Sequence, residues 1–118
     1  MRFMFIVKSD SPAKPTPELL NAMHKLASRE IQAGRMLDNG GLMPLFTGAQ
    51  VRVVNGRLSV LDGPFAEAKE VIGGYAIFEL HNKEEAVASA VEFMQLHLDF
   101  LPGWEGTCEV REFAPGGP

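Results

Sequence analysis

Two segments of this 118-residue chain are apolar on both faces of a strand, and this feature constrains the fold more than any other. Residues 2–8 alternate large apolar side chains between the two sides, and residues 71–80 do the same. A strand of this kind belongs inside a sheet whose two faces are both covered. Both segments are therefore predicted to be central strands.

Two helices are marked by their capping residues. Thr16 precedes Pro17 at a first helical position, and Asn82 precedes Glu85 by three residues, which is a capping arrangement. The helices are predicted to end near Gly34 and at Pro102-Gly103. Their apolar stripes consist of Leu19, Leu20, Met23, Leu26, Ala27 and Ile31 in the first helix, and of Val87, Ala90, Val91, Met94 and Leu98 in the second.

The remaining elements complete an α+β pattern. Asn55-Gly56 separates two β-prone runs, 50–54 and 57–61, and is a strong hairpin signal. Residues 36–43 are expected to form a short strand that gives way to an irregular loop, and residues 107–113 are expected to form a final strand. The order strand, helix, strand, hairpin, strand, helix, strand predicts a ferredoxin-like split βαβ domain with an inserted β-hairpin.

Two helices cover one face of such a sheet and leave its other apolar face in water. At about 25 cal/mol per Å², burying several hundred Å² of that face would contribute on the order of 10 kcal/mol before association costs. A second copy of the chain is the simplest cover. The pattern therefore predicts a homodimer.

Composition argues against nucleic-acid-binding, disulfide-bonded and membrane classes of protein. The chain has 11 basic and 15 acidic residues and a formal charge of -4, with no long run of either sign, so no nucleic-acid partner is expected. The single cysteine, Cys108, forms no internal disulfide and is expected to pack as a small hydrophobe. The first residues are too short for a signal peptide, and no apolar run reaches the roughly 20 residues that span a bilayer. A cytoplasmic protein with no membrane partner is expected.

Residues 62–65, Asp-Gly-Pro-Phe, are followed by 66–70, Ala-Glu-Ala-Lys-Glu, and by Gly73-Gly74-Tyr75. This run resembles the YCII-related, or DGPF-domain, family of small bacterial proteins, and the resemblance covers most of the chain. It implies one YCII-related domain over residues 1–114 with a Gly/Pro tail at 115–118. It also implies a dimeric α+β barrel, in a family whose function is largely undefined.

Asp62 is the first candidate for catalysis. It follows a short apolar run, where a partly buried carboxylate could act as a general base or orient a histidine. The alternative is that Asp62 caps its own turn through Gly63, a residue that tolerates positive φ. The two roles can coexist.

His24 is the second catalytic candidate, because it flanks the apolar stripe of the first helix and could exchange a proton near pH 7. The resemblance implies a histidine on this helix working with an aspartate. Asp38 and Asp62 compete for that part. A solvated or structurally bonded His24 is the alternative interpretation.

Candidate substrate-binding residues surround these two. Gly41 lies in the glycine-rich run 39–44, whose backbone amides could bind a carboxylate or enolate oxygen, although a flexible connection is the alternative. The resemblance implies that the segment after Gly63 borders the pocket, which adds Phe65, Glu67 and Lys69, and Tyr75 could add a phenol. The alternating charges of that segment are also typical of a solvated stretch.

No cofactor and no metal are predicted, because His24, His81 and His97 are scattered and lack the short spacing of a helical zinc site. The leading hypothesis is a small-molecule enzyme or binder that moves a proton with Asp62 and His24, with a small organic acid as a candidate ligand. The alternative is a non-catalytic regulatory or interaction module associated with sigma-factor transcription control, which the family resemblance suggests.

Overall fold

A computed structural model of the chain describes residues 1–10, 14–63 and 70–116. Its elements follow the predicted order. The strands are β1 (Arg2–Ser9), β2 (Met36–Gly41), β3 (Ala49–Val54), β4 (Arg57–Asp62), β5 (Val71–Glu79) and β6 (Thr107–Glu112). The helices are α1 (Pro17–Gln32) and α2 (Lys83–Phe100), and a single 3-10 turn covers Leu45–Thr47.

The capping predictions are confirmed at both helix starts. The Thr16 hydroxyl accepts a hydrogen bond from the backbone N–H of Leu19 at 3.1 Å, and the Asn82 side chain accepts one from Glu85 N–H at 2.8 Å. Each bond satisfies a backbone donor that has no partner within the helix. Local sequence chemistry therefore fixes where both helices begin.

Four strands form an antiparallel sheet in the order β2-β5-β1-β6. With the two helices, this is the ferredoxin-like split βαβ arrangement, and the predicted α+β class is confirmed. The two segments that are apolar on both faces, β1 and β5, occupy the centre of the sheet as expected. The inserted hairpin, β3–β4, forms a separate two-stranded sheet.

One face of the four-stranded sheet carries the core. Phe3 and Phe5 of β1 pack there with Phe78 of β5 and with Ala86 and Ala90 of α2. The Phe5 and Phe78 rings stack with their centroids 4.6 Å apart. We call this side the covered face, and we call the opposite side, to which the alternate residues of each strand point, the open face.

The apolar stripe predicted for α2 is displaced from the face that the helix buries. The structure buries Ala86, Ala90 and His97, whereas Val91 and Leu98 are 60% and 73% exposed. Because α2 has apolar residues around much of its circumference, the 3.6-residue period alone did not fix which side faces the sheet. An apolar surface therefore remains uncovered on α2.

The role expected for Gly63 is corrected by its surroundings. Its φ is not positive, so backbone freedom does not explain this glycine. A Cβ there would lie 1.9 Å from the backbone oxygen of Leu45, and the Gly63 N–H donates a 2.8 Å hydrogen bond to the carbonyl of Gly48. Gly63 thus allows the base of the hairpin to close against the 3-10 turn.

Candidate functional site

The open face presents side chains in two rows that run across the sheet. One row contains Gly40, Tyr75, Ile6 and Glu109, and the other contains Asp38, Ile77, Met4 and Arg111. Residues in register across an antiparallel pair share a face, so each row brings together all four strands. The middle of both rows is apolar, and the polar groups lie at their two ends.

Asp38 and Tyr75 form the polar pair at the β2 end of the open face. The Tyr75 hydroxyl donates a 3.0 Å hydrogen bond to Asp38 Oδ2, and Asp38 Oδ1 accepts one from Asn39 N–H at 2.9 Å. The hydrogen bond to the Asp38 carboxylate, reinforced by its negative charge, raises the pKa of Tyr75. The pair is therefore a carboxylate beside a protonated phenol.

Glycine makes room for this pair. A Cβ on Gly40, which is directly opposite Tyr75, would lie 2.9 Å from the Tyr75 ring. A Cβ on Gly74 would lie 3.0 Å from the carbonyl oxygen of Gly40. Gly40 therefore leaves room for the Tyr75 ring over β2, and Gly74 allows the backbones of β2 and β5 to approach closely beside it.

A group of charged residues forms the other polar end, on β1 and β6. Lys8 Nζ lies 2.6 Å from Glu109 Oε1, and Arg111 donates to Glu109 Oε2 at 3.0 Å. The hydrogen bond from Lys8, followed by that from Arg111, lowers the pKa of Glu109, and the hydrogen bond to Glu109 raises the pKa of Lys8. This end therefore carries two cations around one carboxylate.

The two polar ends are separated by an apolar floor. Tyr75 and Glu109 are two strands apart in one row, a distance of about 10 Å at the usual strand spacing. Ile6, Met4 and Ile77 lie between them and are each partly exposed. A flat organic molecule with polar substituents at opposite edges matches this layout in size and in polarity.

The structure does not bring the two predicted catalytic residues together. Asp62 is exposed at the end of β4, and no residue in the described ranges donates a hydrogen bond to its carboxylate. His24 is exposed on α1, in an open depression lined by Lys25, Ser28, Arg29 and Gln32. Their catalytic roles remain predictions.

The predicted binding residues have different positions. Tyr75 lies on the open face and pairs with Asp38, one of the two aspartates considered as the partner of His24. Gly41 was expected in a loop, but it lies in β2, in register with Gly74, because these glycines continue the strand pairing. Phe65, Glu67 and Lys69 lie outside the described residues.

Sequence reasoning missed Glu109 and Arg111 and did not pair Asp38 with Tyr75. Strand periodicity places Glu109 and Arg111 on one face of β6, but it does not reveal which strand lies beside them. One sequence feature could have indicated the Asp38–Tyr75 pair. Gly40 follows Asp38 by two residues, so the two lie on the same face of a strand. A glycine on the same face as a carboxylate leaves space for an aromatic ring from the neighbouring strand.

Other classes of site have less support in the described ranges. No group of three or more His, Cys, Asp or Glu side chains there is arranged to hold a metal ion. Neither described helix combines the length and the apolar content needed to cross a bilayer. Burial raises the pKa of Cys108 to about 11, so this thiol is protonated at neutral pH.

Comparisons with known proteins agree with this fold. The family model for the YCII-related domain matches residues 1–93. Among solved structures, the chain is similar to 5-chloro-2-hydroxyhydroquinone dehydrochlorinase (TftG) from Burkholderia phenoliruptrix AC1100, in complex with 2,5-dihydroxybenzoquinone. The TM-score is 0.53 at 16% sequence identity, over 98% of this chain and 96% of that one. A search of curated proteins finds no match.

Proposed function

Because the chain belongs to the family of proteins with a YCII-related domain, we propose that it is an enzyme that binds a small molecule and moves a proton without a cofactor. The observation that carries the proposal is the open face. It has an apolar floor with the Asp38–Tyr75 pair at one end and the charged group around Glu109 at the other. Such a combination of apolar surface and a few convergent polar groups is typical of small-molecule sites.

The pocket in this proposal is completed by a second copy, which makes a dimeric α+β barrel. Met4, Ile6 and Ile77 leave apolar area on the open face. A second open face laid over the first removes this area from water and encloses the polar groups. Exclusion of water then strengthens the electrostatic interactions between those groups and a ligand.

The proposed chemistry is proton transfer at an enolisable carbon or an acidic hydroxyl. The Asp38 carboxylate takes the proton, and the electron pair of the broken C–H bond moves to the substrate oxygen. Once Asp38 is neutral, the Tyr75 hydroxyl is free to donate its hydrogen bond to that oxygen instead. Return of the proton to another atom of the substrate completes an isomerisation.

The substrate class follows from the spacing and charge of the two ends. Lys8 and Arg111 carry positive charge that suits a carboxylate or an ionised hydroxyl. A small organic acid or a hydroxylated ring of about 10 Å therefore fits between the ends. The ligand of the dehydrochlorinase, 2,5-dihydroxybenzoquinone, is a hydroxylated ring and supports the proposal.

Asp62 and His24 have a place in the proposal only if a second chain alters their surroundings, because both are exposed in one chain. The Asp38→Asn and Asp62→Asn variants therefore distinguish two forms of the mechanism. Loss of proton transfer in Asp38→Asn alone supports the open-face site. Loss in Asp62→Asn alone moves the base to the hairpin.

The test uses 2,5-dihydroxybenzoquinone and a panel of small organic acids as probes. Binding is measured by thermal shift, and proton transfer by NMR detection of deuterium entering carbon positions of the probe in D2O. Asp38→Asn and Tyr75→Phe are compared with Asp99→Asn, which removes the same charge from an exposed position on α2.

We expect the two open-face variants to lose at least tenfold in exchange rate or affinity while Asp99→Asn keeps both. If no probe binds, or if Asp38→Asn and Tyr75→Phe both behave as the parent, the open face is not the site. The interaction module associated with sigma factors, the cytoplasmic location and the absence of a cofactor stay predictions.

A further inference from the structure

The hairpin β3–β4 is an arm whose base, at Gly63, lies against the 3-10 turn and whose strands carry a continuous apolar face above that base. Its apolar face consists of Val51, Val53, Leu58 and Val60, which are 68–74% exposed, and the base of that face carries Asp62 opposite Ala49. The other face is mixed, with Gln50, Arg52, Arg57 and Ser59 beside Val54 and Leu61. We call the first four residues the arm face.

The apolar face of such an arm is expected to pack against another surface. A two-stranded hairpin alone in water is marginally stable at best, and exposed β-branched residues on a strand edge promote association. The chain is also extended for its length, with a radius of gyration of 16.0 Å where a compact domain of this size has roughly 13–14 Å. The arm is therefore held away from the rest of its own chain.

A second uncovered apolar surface lies at the opposite edge of the sheet. It is a groove between α2 and β6, which we call the α2–β6 groove. Its lining residues are Val87, Ala90, Val91, Met94, Cys108 and Val110. The displaced stripe of α2 forms one wall, and no charged side chain lines it.

We propose that the arm face of one chain docks into the α2–β6 groove of a second copy. The arm leaves the domain next to β2, whereas the groove lies beside β6, and these are the two outer strands of the sheet. The arm of one chain is thus remote from its own groove. A twofold axis that sets β2 of one copy beside β6 of the other brings each arm to the partner's groove.

The apolar area of the contact comes mainly from the arm. A fully buried aliphatic side chain removes on the order of 100 Å² from water, so four that are about 70% exposed present on the order of 300 Å². The groove presents less, because only Val87 and Val91 of its lining residues are well exposed, at 43% and 60%. Two arms therefore remove on the order of 600 Å² of apolar area, to which the two grooves add, and this is a substantial part of a specific interface of roughly 1,200 Å² or more.

Cys108 allows a direct test because it is the single cysteine of the sequence and lines the groove. Val60→Cys places a second thiol on the arm face, and Ser59→Cys places one on the opposite face of the same strand. Both variants are oxidised with copper–phenanthroline at alkaline pH, because burial holds the pKa of Cys108 at about 11. Covalent dimers are measured by non-reducing electrophoresis and by mass spectrometry of the linked peptides.

We expect Val60→Cys to form a covalent dimer through Cys108, at least tenfold more than Ser59→Cys, and to lose it when Cys108→Ser is added. A dimer that persists with Cys108→Ser shows that two arms meet and overturns the proposal. Equal cross-linking of the two faces, or none, also overturns it. The result is independent of the proposed catalytic site, because probe binding to the open face is measured separately.

Discussion

Replacement of Val60 by threonine measures the energy of the arm contact. Thr has nearly the shape of Val and is a good strand former, so the hairpin itself is preserved. The exchange removes one methyl group, worth about 0.6 kcal/mol for a side chain that is 71% exposed before docking. It also buries a hydroxyl without a partner, which costs about 1 kcal/mol. The cost is thus about 1.5 kcal/mol per arm.

A twofold dimer contains two arms, so the expected loss is about 3 kcal/mol and the dimer Kd rises about a hundredfold. Sedimentation equilibrium over a range of concentrations measures this Kd. Ser59→Thr is the matched control, because it gives the same residue on the opposite face of β4 and should leave the Kd unchanged. A Val60→Thr dimer as tight as the parent would refute the argument, and so would a parent chain that sediments as a monomer throughout.

Two further predictions concern ionisable groups. Glu30 is buried, and the hydrogen bond it accepts from Arg35, with a smaller contribution from Arg29, lowers its pKa below the ordinary 4.5. The ionised Glu30 therefore stabilises the fold above pH 4.5, and this stabilisation is lost as the pH falls through the lowered pKa. Glu30→Gln should therefore cost about 1–2 kcal/mol in urea unfolding at pH 7 and less at pH 3, and an equal cost at both pH values would contradict this. Tyr75 is the single tyrosine, so its phenolate absorbance reports its titration directly. Asp38→Asn should lower the pKa of Tyr75, and an unchanged titration would show that the two groups do not interact.

The elements of the fold were predictable because each depends on local chemistry. Thr16 and Asn82 cap their helices as the sequence indicates. Asn55 and Gly56 adopt φ values of 53° and 73°, which the tight hairpin turn requires and which these residue types accept most readily. The central position of β1 and β5 could be predicted because both segments carry apolar side chains on both faces of the strand. This pattern can be recognised without knowing which strands lie beside them.

The site was less predictable because it depends on register between distant strands. Asp38 and Tyr75 are 37 residues apart, and Lys8 and Glu109 are 101 residues apart. A shift of one residue in either pairing would turn these side chains to the covered face. The sequence contains the residues of the open face, but the pairing that assembles them is a property of the whole sheet.

The Asp-Gly pair at positions 62 and 63 lies at the base of the hairpin and combines a structural glycine with a candidate catalytic aspartate. Gly63 lies against the carbonyl of Leu45 with no space for a Cβ, so the base of the hairpin packs closely on the 3-10 turn. The strand register places Asp62 on the same face of the hairpin as Val51 and Val60. In the proposed dimer the carboxylate of Asp62 therefore comes to the boundary between two chains.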